Sequence, residues 1–139
     1  MDLNSAKQLL IQENYTCVIF KDDTIYTSSD RGVKPLLMLL DQNKSCRGYE
    51  AVDKVVGKAA AFLYVILGIA AIHAGVISQS ALQVLRDHGI MTTYDKLVDY
   101  IENRTKNGRC PMESAVLGIS DCNEALAAIR EKVRELQAK

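Results

Sequence analysis

Three groups of residues in this 139-residue chain have the types and spacing that chemistry needs. The first is Asp53, Lys54 and Lys58, at the head of the run Val52-Asp-Lys-Val-Val-Gly-Lys-Ala-Ala-Ala-Phe-Leu-Tyr-Val-Ile-Leu-Gly68, after which no charge appears before His73. As a helix, this run is apolar all round and reaches water through its first turn alone. Lysines four apart would share a face. Added to the free N–H groups and positive dipole end of that turn, they suit a phosphate or carboxylate. The same residues also read as an N-cap, Asp53, with two solvated lysines at the mouth of a core helix. Gly57, costly inside a helix, serves either close approach of a ligand or helix packing.

The second group is Cys110, placed before Pro111 and after Arg109. At a helix N-terminus beside a cation, a thiolate is stabilised and becomes nucleophilic. Glu113 then reads either as its base or as the third-position partner of a cap. The third group is the loop Asn103-Arg-Thr-Lys-Asn-Gly-Arg109, with three positive charges in seven residues. Asn103 and Arg104 are its candidate ligand contacts, although the loop lacks the glycine spacing of a P-loop. His73 and His88 have no His or Cys at ligand spacing, so neither a metal site nor a cofactor is expected.

The elements that must position these groups follow from periodicity. Leu3, Ala6, Leu9 and Leu10 predict a helix over 3–13. Cys17 to Phe20 and Ile25 to Thr27 predict a hairpin turning at Asp22-Asp23. Pro35 stands in the first turn of a second helix that ends near Asn43, and 44–50 reads as a loop or irregular strand leading into the central helix. Ile69 to Ser78 predicts an interior strand. Ser78 or Ser80 caps the helix after it, and Gly89 stops that helix. Ile90 to Tyr94 predicts another strand, and Tyr94 to Ile101 a helical segment. Pro111 begins a short helix. Asp121 and Glu124 form a capping-box-like pair ahead of a last helix with the inward stripe Leu126, Ile129, Val133 and Leu136. This order predicts a single domain over 1–139, a three-layer α/β/α sandwich with a mixed sheet.

Composition narrows the partners. Seventeen basic residues balance seventeen acidic ones, so no global field favours a nucleic acid polymer or an anionic membrane. The apolar stretch 59–72 falls short of the roughly 20 residues a bilayer span needs. The N-terminus reads as lacking a signal peptide. Four scattered cysteines without a Cys-x-x-Cys pair read as reduced thiols, and a cytoplasmic location is expected.

The runs Asp-Arg-Gly-Val-Lys-Pro-Leu-Leu (30–37), Val-Asp-Lys-Val-Val-Gly-Lys-Ala-Ala-Ala (52–61) and Asn-Arg-Thr to Cys-Pro-Met-Glu-Ser-Ala-Val (103–116) together resemble a small prokaryotic family of unknown function with a cytidine-deaminase-like fold. In zinc deaminases of that fold the central helix opens His-x-Glu or Cys-x-Glu, and the helix after the next strand opens Pro-Cys-x-x-Cys. This sequence has Asp53-Lys54 at the first place and Ser78-Gln79-Ser80 at the second, without thiolate or imidazole. The resemblance implies a pocket facing the helix starts near Asp53 and Ser78, with Lys58, Arg104, Cys110 and Glu113 on the same rim. The expected function is metal-independent binding of a small anionic or nucleotide-like metabolite. The alternatives are an enzyme using Cys110 or Lys54, and a non-catalytic scaffold; a homodimer is expected, as many deaminase-like folds associate through helices.

Overall fold

Alternation of apolar side chains builds two faces on one sheet. The computed structural model describes residues 1–30, 32–102 and 108–138. Cys17–Lys21 (β1) and Thr24–Ser28 (β2) form the expected hairpin. Asp22 supplies its turn at φ 53°, a conformation that Asp tolerates. Glu50–Val56 (β3) runs antiparallel to β1, and Ala71–Ser78 (β4) and Met91–Val98 (β5) follow parallel to it. The order β2-β1-β3-β4-β5 makes a mixed five-stranded sheet.

Helices cover both faces. On one, Ala6 and Leu10 of Leu3–Gln12 (α1) pack on Val18, Phe20 and Val52. On the other, Ile19, Ala51, Val56, Ile72 and Ile77 join a core with Lys34–Asp41 (α2), Lys58–Leu67 (α3) and Gln79–Asp87 (α4). Pro111–Ala115 (α5) and Cys122–Gln137 (α6) complete that layer through Val116, Ala125 and Ile129. The fold is the three-layer α/β/α sandwich that the element order predicts. Pro35, Ser78, Pro111 and Asp121 occupy their expected helix starts: the Ser78 hydroxyl accepts the Ala81 N–H, and the Asp121 carboxylate accepts the Glu124 N–H at 2.9 Å.

Two segments differ from the sequence reading. The central helix begins at Lys58, not Val52; Asp53 and Lys54 lie on β3, five and four residues before it. Val52, Val55 and Val56 are β-branched and fit a pleated surface better than a helical turn. Gly57 is therefore the junction residue, extended at φ −93° and ψ 176°, not an interior helix residue. Residues 94–98 continue β5 in register with β4, so Tyr94 to Ile101 is not helical. Leu97, Val98 and Ile101 mimic helical spacing, but pairing along the whole length of β4 satisfies the backbone instead. In the last helix Ile129 is fully buried, whereas Leu136 stays 44% exposed.

β3 and β4 share one irregular step. The inward set passes from Ala51 and Asp53 to Val56 in β3, and from Ile72 and Ala74 to Ile77 in β4. Gly75 sits at the step, where a Cβ would lie 2.6 Å from the Lys54 carbonyl oxygen. That neighbour is backbone and cannot swing aside. Gly75→Ala should therefore cost about 1–3 kcal/mol, read as a lowered urea midpoint, whereas Gly89→Ala, which meets no atom within 4 Å, should act through its φ of +75° alone.

Candidate functional site

The carboxyl ends of β3 and β4 and the N-terminal turns of α3 and α4 meet at one end of the sheet, where open α/β folds place their ligands. The start of α3 is not open there. Glu113 of α5 is 4% exposed, and its Oε1 accepts the Lys58 N–H at 3.4 Å. A Cβ on Gly57 would lie 3.0 Å from the same oxygen and 3.3 Å from Ile101. Glycine at 57 is what lets the carboxylate reach the helix start. The expected anion site thus holds the protein's own anion, favoured by the dipole and the free N–H groups.

The expected six-residue cluster of Asp53, Lys54, Lys58, Arg104, Cys110 and Glu113 divides. Lys54, two residues after Val52, lies on the α1 side of the sheet, where its Nζ donates to Asn14 Oδ1 at 3.0 Å. Lys58 is on the other side, its Nζ 5.8 Å from the centre of the Phe62 ring. Lys54 and Lys58 therefore do not share a helix face. Cys110 is the half-buried N-cap of α5 and makes no side-chain capping bond; its backbone N–H donates to the Ile101 carbonyl at 2.7 Å. Ser78 spends its hydroxyl on the α4 cap and lies 3.3 Å from the Ser80 oxygen. Asn103 and Arg104 lie outside the described residues.

A different polar group stands behind β1. Tyr64 of α3 donates its hydroxyl to Asp53 Oδ2 at 2.6 Å, and the Val55 N–H donates to Oδ1 at 3.2 Å. Cys17 is opposite Asp53 in the β1–β3 ladder. Burial pushes the Asp53 carboxyl up to about 7, against the opposing pull of these two hydrogen bonds. Burial, then the nearby carboxylates of Asp53 and Asp30, push the Cys17 thiol well up. Near neutral pH the thiol and phenol are protonated and the carboxyl is poised to titrate, a range suited to proton transfer. Tyr64 sits in an otherwise apolar run, and a buried phenol needs a partner; that was the available signal for Asp53–Tyr64.

Beside Cys17 opens a cleft of about 420 Å³ between the hairpin and α2. Tyr26, Thr27, Ser28, Asp30, Pro35 and Met38 are among its walls. Elsewhere His88 Nε2 lies 3.7 Å from the Cys122 sulfur, its Nδ1 2.8 Å from the Val84 carbonyl. Burial and then Asp121 raise that thiol, which opposes activation as a nucleophile.

Residues 5–133 match the family model described as a domain of unknown function, DUF1893. The chain belongs to this family. It is similar to the crystal structure of a DUF1893 family protein from Thermotoga maritima, with 29% identity over 94% of this chain and 88% of that one and a TM-score of 0.87. A dCMP deaminase from cyanophage S-TIM5, solved in its apo form, is similar in fold at 10% identity, over 68% of this chain and 99% of that one, with a TM-score of 0.53. No curated protein matches the chain. The family's deaminase-like frame raises the question of zinc. The described starts of α2, α3 and α4 carry Val33-Lys34-Pro35, Gly57-Lys58 and Ser78-Gln79-Ser80, none of them a thiolate or imidazole. Among the described residues no three His, Cys, Asp or Glu side chains are placed to hold a metal ion. The donor set does not fit a deaminase zinc, and no step is derived through one. Likewise, no helix among the described residues is long and apolar enough to cross a membrane.

Two outcomes test this geometry. Glu113→Ala should lower stability by about 1–2 kcal/mol through loss of the helix-start acceptor, and concentrated phosphate should restore part of the urea midpoint by taking its place. For Asp53, the folded value lies above the ordinary 3.8, so the folded state holds the extra proton between about 4 and 7. Stability from this group therefore falls as pH rises through that window. Asp53→Asn, which keeps an acceptor for Tyr64, should flatten the pH 4–7 slope of the urea midpoint and match or exceed wild type at pH 8.

Proposed function

We propose that this chain is a small-molecule-binding protein on a deaminase-like frame, and that its ligand is a neutral or cationic, base-like heterocycle held in the cleft between the hairpin and α2. The carrying observation is the cleft's chemistry. Asp30 is the single charged residue among its described walls, flanked by the Thr27 and Ser28 hydroxyls and by the Gln42 amide. A carboxylate beside hydroxyls and an amide suits amino and ring N–H donors, and Tyr26, Pro35 and Met38 supply flat apolar contact.

The same chemistry weighs against the small anionic metabolite expected from the sequence. A phosphate in the cleft would meet Asp30, while the helix start that would favour it already holds Glu113. One solved fold neighbour is a deaminase of dCMP; the base of such a nucleotide suits this cleft better than its phosphate does. The enzyme readings through Lys54 and Cys110 gain little. Lys54 bonds to Asn14 on the far side of the sheet, and the Glu113 carboxylate that could have served Cys110 as a base accepts the Lys58 N–H.

Titration calorimetry with nucleobases, nucleosides and nucleoside monophosphates tests the proposal. An amino-bearing base or nucleoside should bind more tightly than its monophosphate. Asp30→Asn should weaken binding about tenfold or more, the cost of one charge-assisted hydrogen bond, and Met38→Trp should block the cleft. Binding of no neutral or cationic heterocycle at millimolar concentration would overturn the proposal, as would binding that both variants leave unchanged. Tighter binding of the monophosphates would restore the anionic ligand.

A further inference from the structure

Three polar side chains meet on the half of the sheet that the cleft does not touch. Val52, which packs with α1, stands opposite His73 in the β3–β4 ladder, and His73 stands opposite Thr93 in the β4–β5 ladder. Residues directly opposed share a face, so the His73 imidazole and the Thr93 hydroxyl both lie on the α1 side. Asp95 follows Thr93 by two residues and reaches the same ring. His73 Nδ1 lies 2.8 Å from Thr93 Oγ1, and Nε2 lies 3.1 Å from Asp95 Oδ1. His73 is only 7% exposed, whereas Thr93 and Asp95 are both exposed.

The three groups are oriented in one direction. A carboxylate only accepts hydrogen bonds, so in the neutral imidazole Nε2 carries the proton and Nδ1 the lone pair. Thr93 must then donate, which aims its proton at a base and leaves the oxygen's lone pairs to water. Hydroxyl, imidazole and carboxylate in that hydrogen-bonded sequence are the arrangement that activates an alcohol as a nucleophile.

We propose that Thr93 is the nucleophile of an acyl-transferring site on this face, with His73 as its base and Asp95 as the positioning residue, and that its substrates are esters or thioesters of short carboxylic acids. Thr93 Oγ1 bonds to the carbonyl carbon as its proton passes to His73 Nδ1, and the imidazolium returns that proton to the departing alkoxide or thiolate. The products are an acyl-Thr93 ester and the free alcohol or thiol. Water, deprotonated by the same nitrogen, then releases the carboxylic acid and restores the hydroxyl. An acyl group suits the surroundings better than a phosphoryl group, because Asp95, the carboxylate of the triad, repels phosphate oxygens. Met91, two residues before Thr93 on the same face and 72% exposed, offers apolar contact to the acyl chain. β4 and β5 lie at the opposite end of the strand order from the hairpin, so this site is independent of any ligand in the cleft.

A fluorophosphonate with a short alkyl chain tests the assignment, since an activated hydroxyl takes up its phosphorus irreversibly with loss of fluoride. The full chain is treated at neutral pH and digested with trypsin, and the peptide 87–96 is sequenced by fragmentation. An adduct is expected on Thr93 and not on Thr92 or Tyr94, which the same peptide carries. Thr93→Val should abolish it, and Thr93→Ser should keep it. Asp95→Asn should slow labelling about a hundredfold at an unchanged melting temperature, and Asp95→Glu should recover most of the rate. Hydrolysis of p-nitrophenyl acetate should fall with the same variants. Absence of a Thr93 adduct at millimolar probe would overturn the proposal, as would equal labelling of Thr92 or a rate that Asp95→Asn leaves unchanged. Ester hydrolysis that Thr93→Val leaves unchanged would overturn the acyl assignment.

Discussion

Burial of α3 on nearly all sides is the constraint on which the rest of the structure depends. Ala59 to Tyr64 and Leu67 are all buried, so this helix has no polar stripe to turn towards water. Each fully buried large side chain among them contributes about 1.5–3 kcal/mol, but the helix also brings polar groups into the interior. Its first N–H groups, its last carbonyls and the Tyr64 phenol must find partners without solvent. Gly68 resolves the C-terminal end by entering the left-handed region at φ 88°, its N–H reaching the Tyr64 and Val65 carbonyls. Glu113 resolves the N-terminal end, and Asp53 resolves the phenol. Two carboxylates that look like site residues in the sequence are thus drawn inward by one helix.

Much of the fold was legible because its signals are local. The hairpin turns at an aspartate pair, prolines stand in the first turns of α2 and α5, and Ser78 and Asp121 bond to N–H groups three residues on. The boundary between β3 and α3 was not legible. Asp53, Lys54 and Lys58 fall at spacings that fit a helical first turn as well as a strand followed by a cap, and only pairing of β3 with β1 and β4 decides between them. β5 was cut short for the same reason, since its Leu97 and Val98 gain strand character from the partner strand and not from alternation. The site was less legible still. Glu113 meets Lys58 across 55 positions, and Cys17 meets Asp53 across a ladder; no sequence spacing encodes either contact. Asn103 and Arg104, the remaining expected contacts, fall outside the described residues.

The deaminase-like frame and the chemistry at its helix starts are separable. The frame requires a parallel β3–β4–β5 core with helices entering from the strand ends, and this chain keeps it at 10% identity to a dCMP deaminase. A deaminase fills those helix starts with thiolates or imidazoles that hold zinc. Here the start of α3 is Gly57-Lys58, and the polar group above it is a carboxylate from a later segment. A carboxylate meets the same electrostatic demand as an external anion, but it is tethered and enters without losing translational freedom. An external phosphate must displace it and leave Glu113 to find another partner or return to water, which sets anion binding at a disadvantage there.

The balance at Asp53 shows how far the polar chemistry has moved towards β1. Two hydrogen bonds to an ionised carboxylate ordinarily lower its pKa, yet desolvation wins and the group titrates near 7. The neighbours explain the outcome: Tyr64 and Val55 are neutral donors, Cys17 is a buried thiol, and Lys54, the adjacent cation, points to the other face of the sheet and bonds to Asn14. Among the described residues no cationic group offsets the lost hydration. Two carboxylates stand near the Cys17 thiol, Asp30 at the cleft wall and Asp53 opposite it in the ladder. The face of β3 that Lys54 takes thus leaves Asp53 without a cation beside it among the described residues.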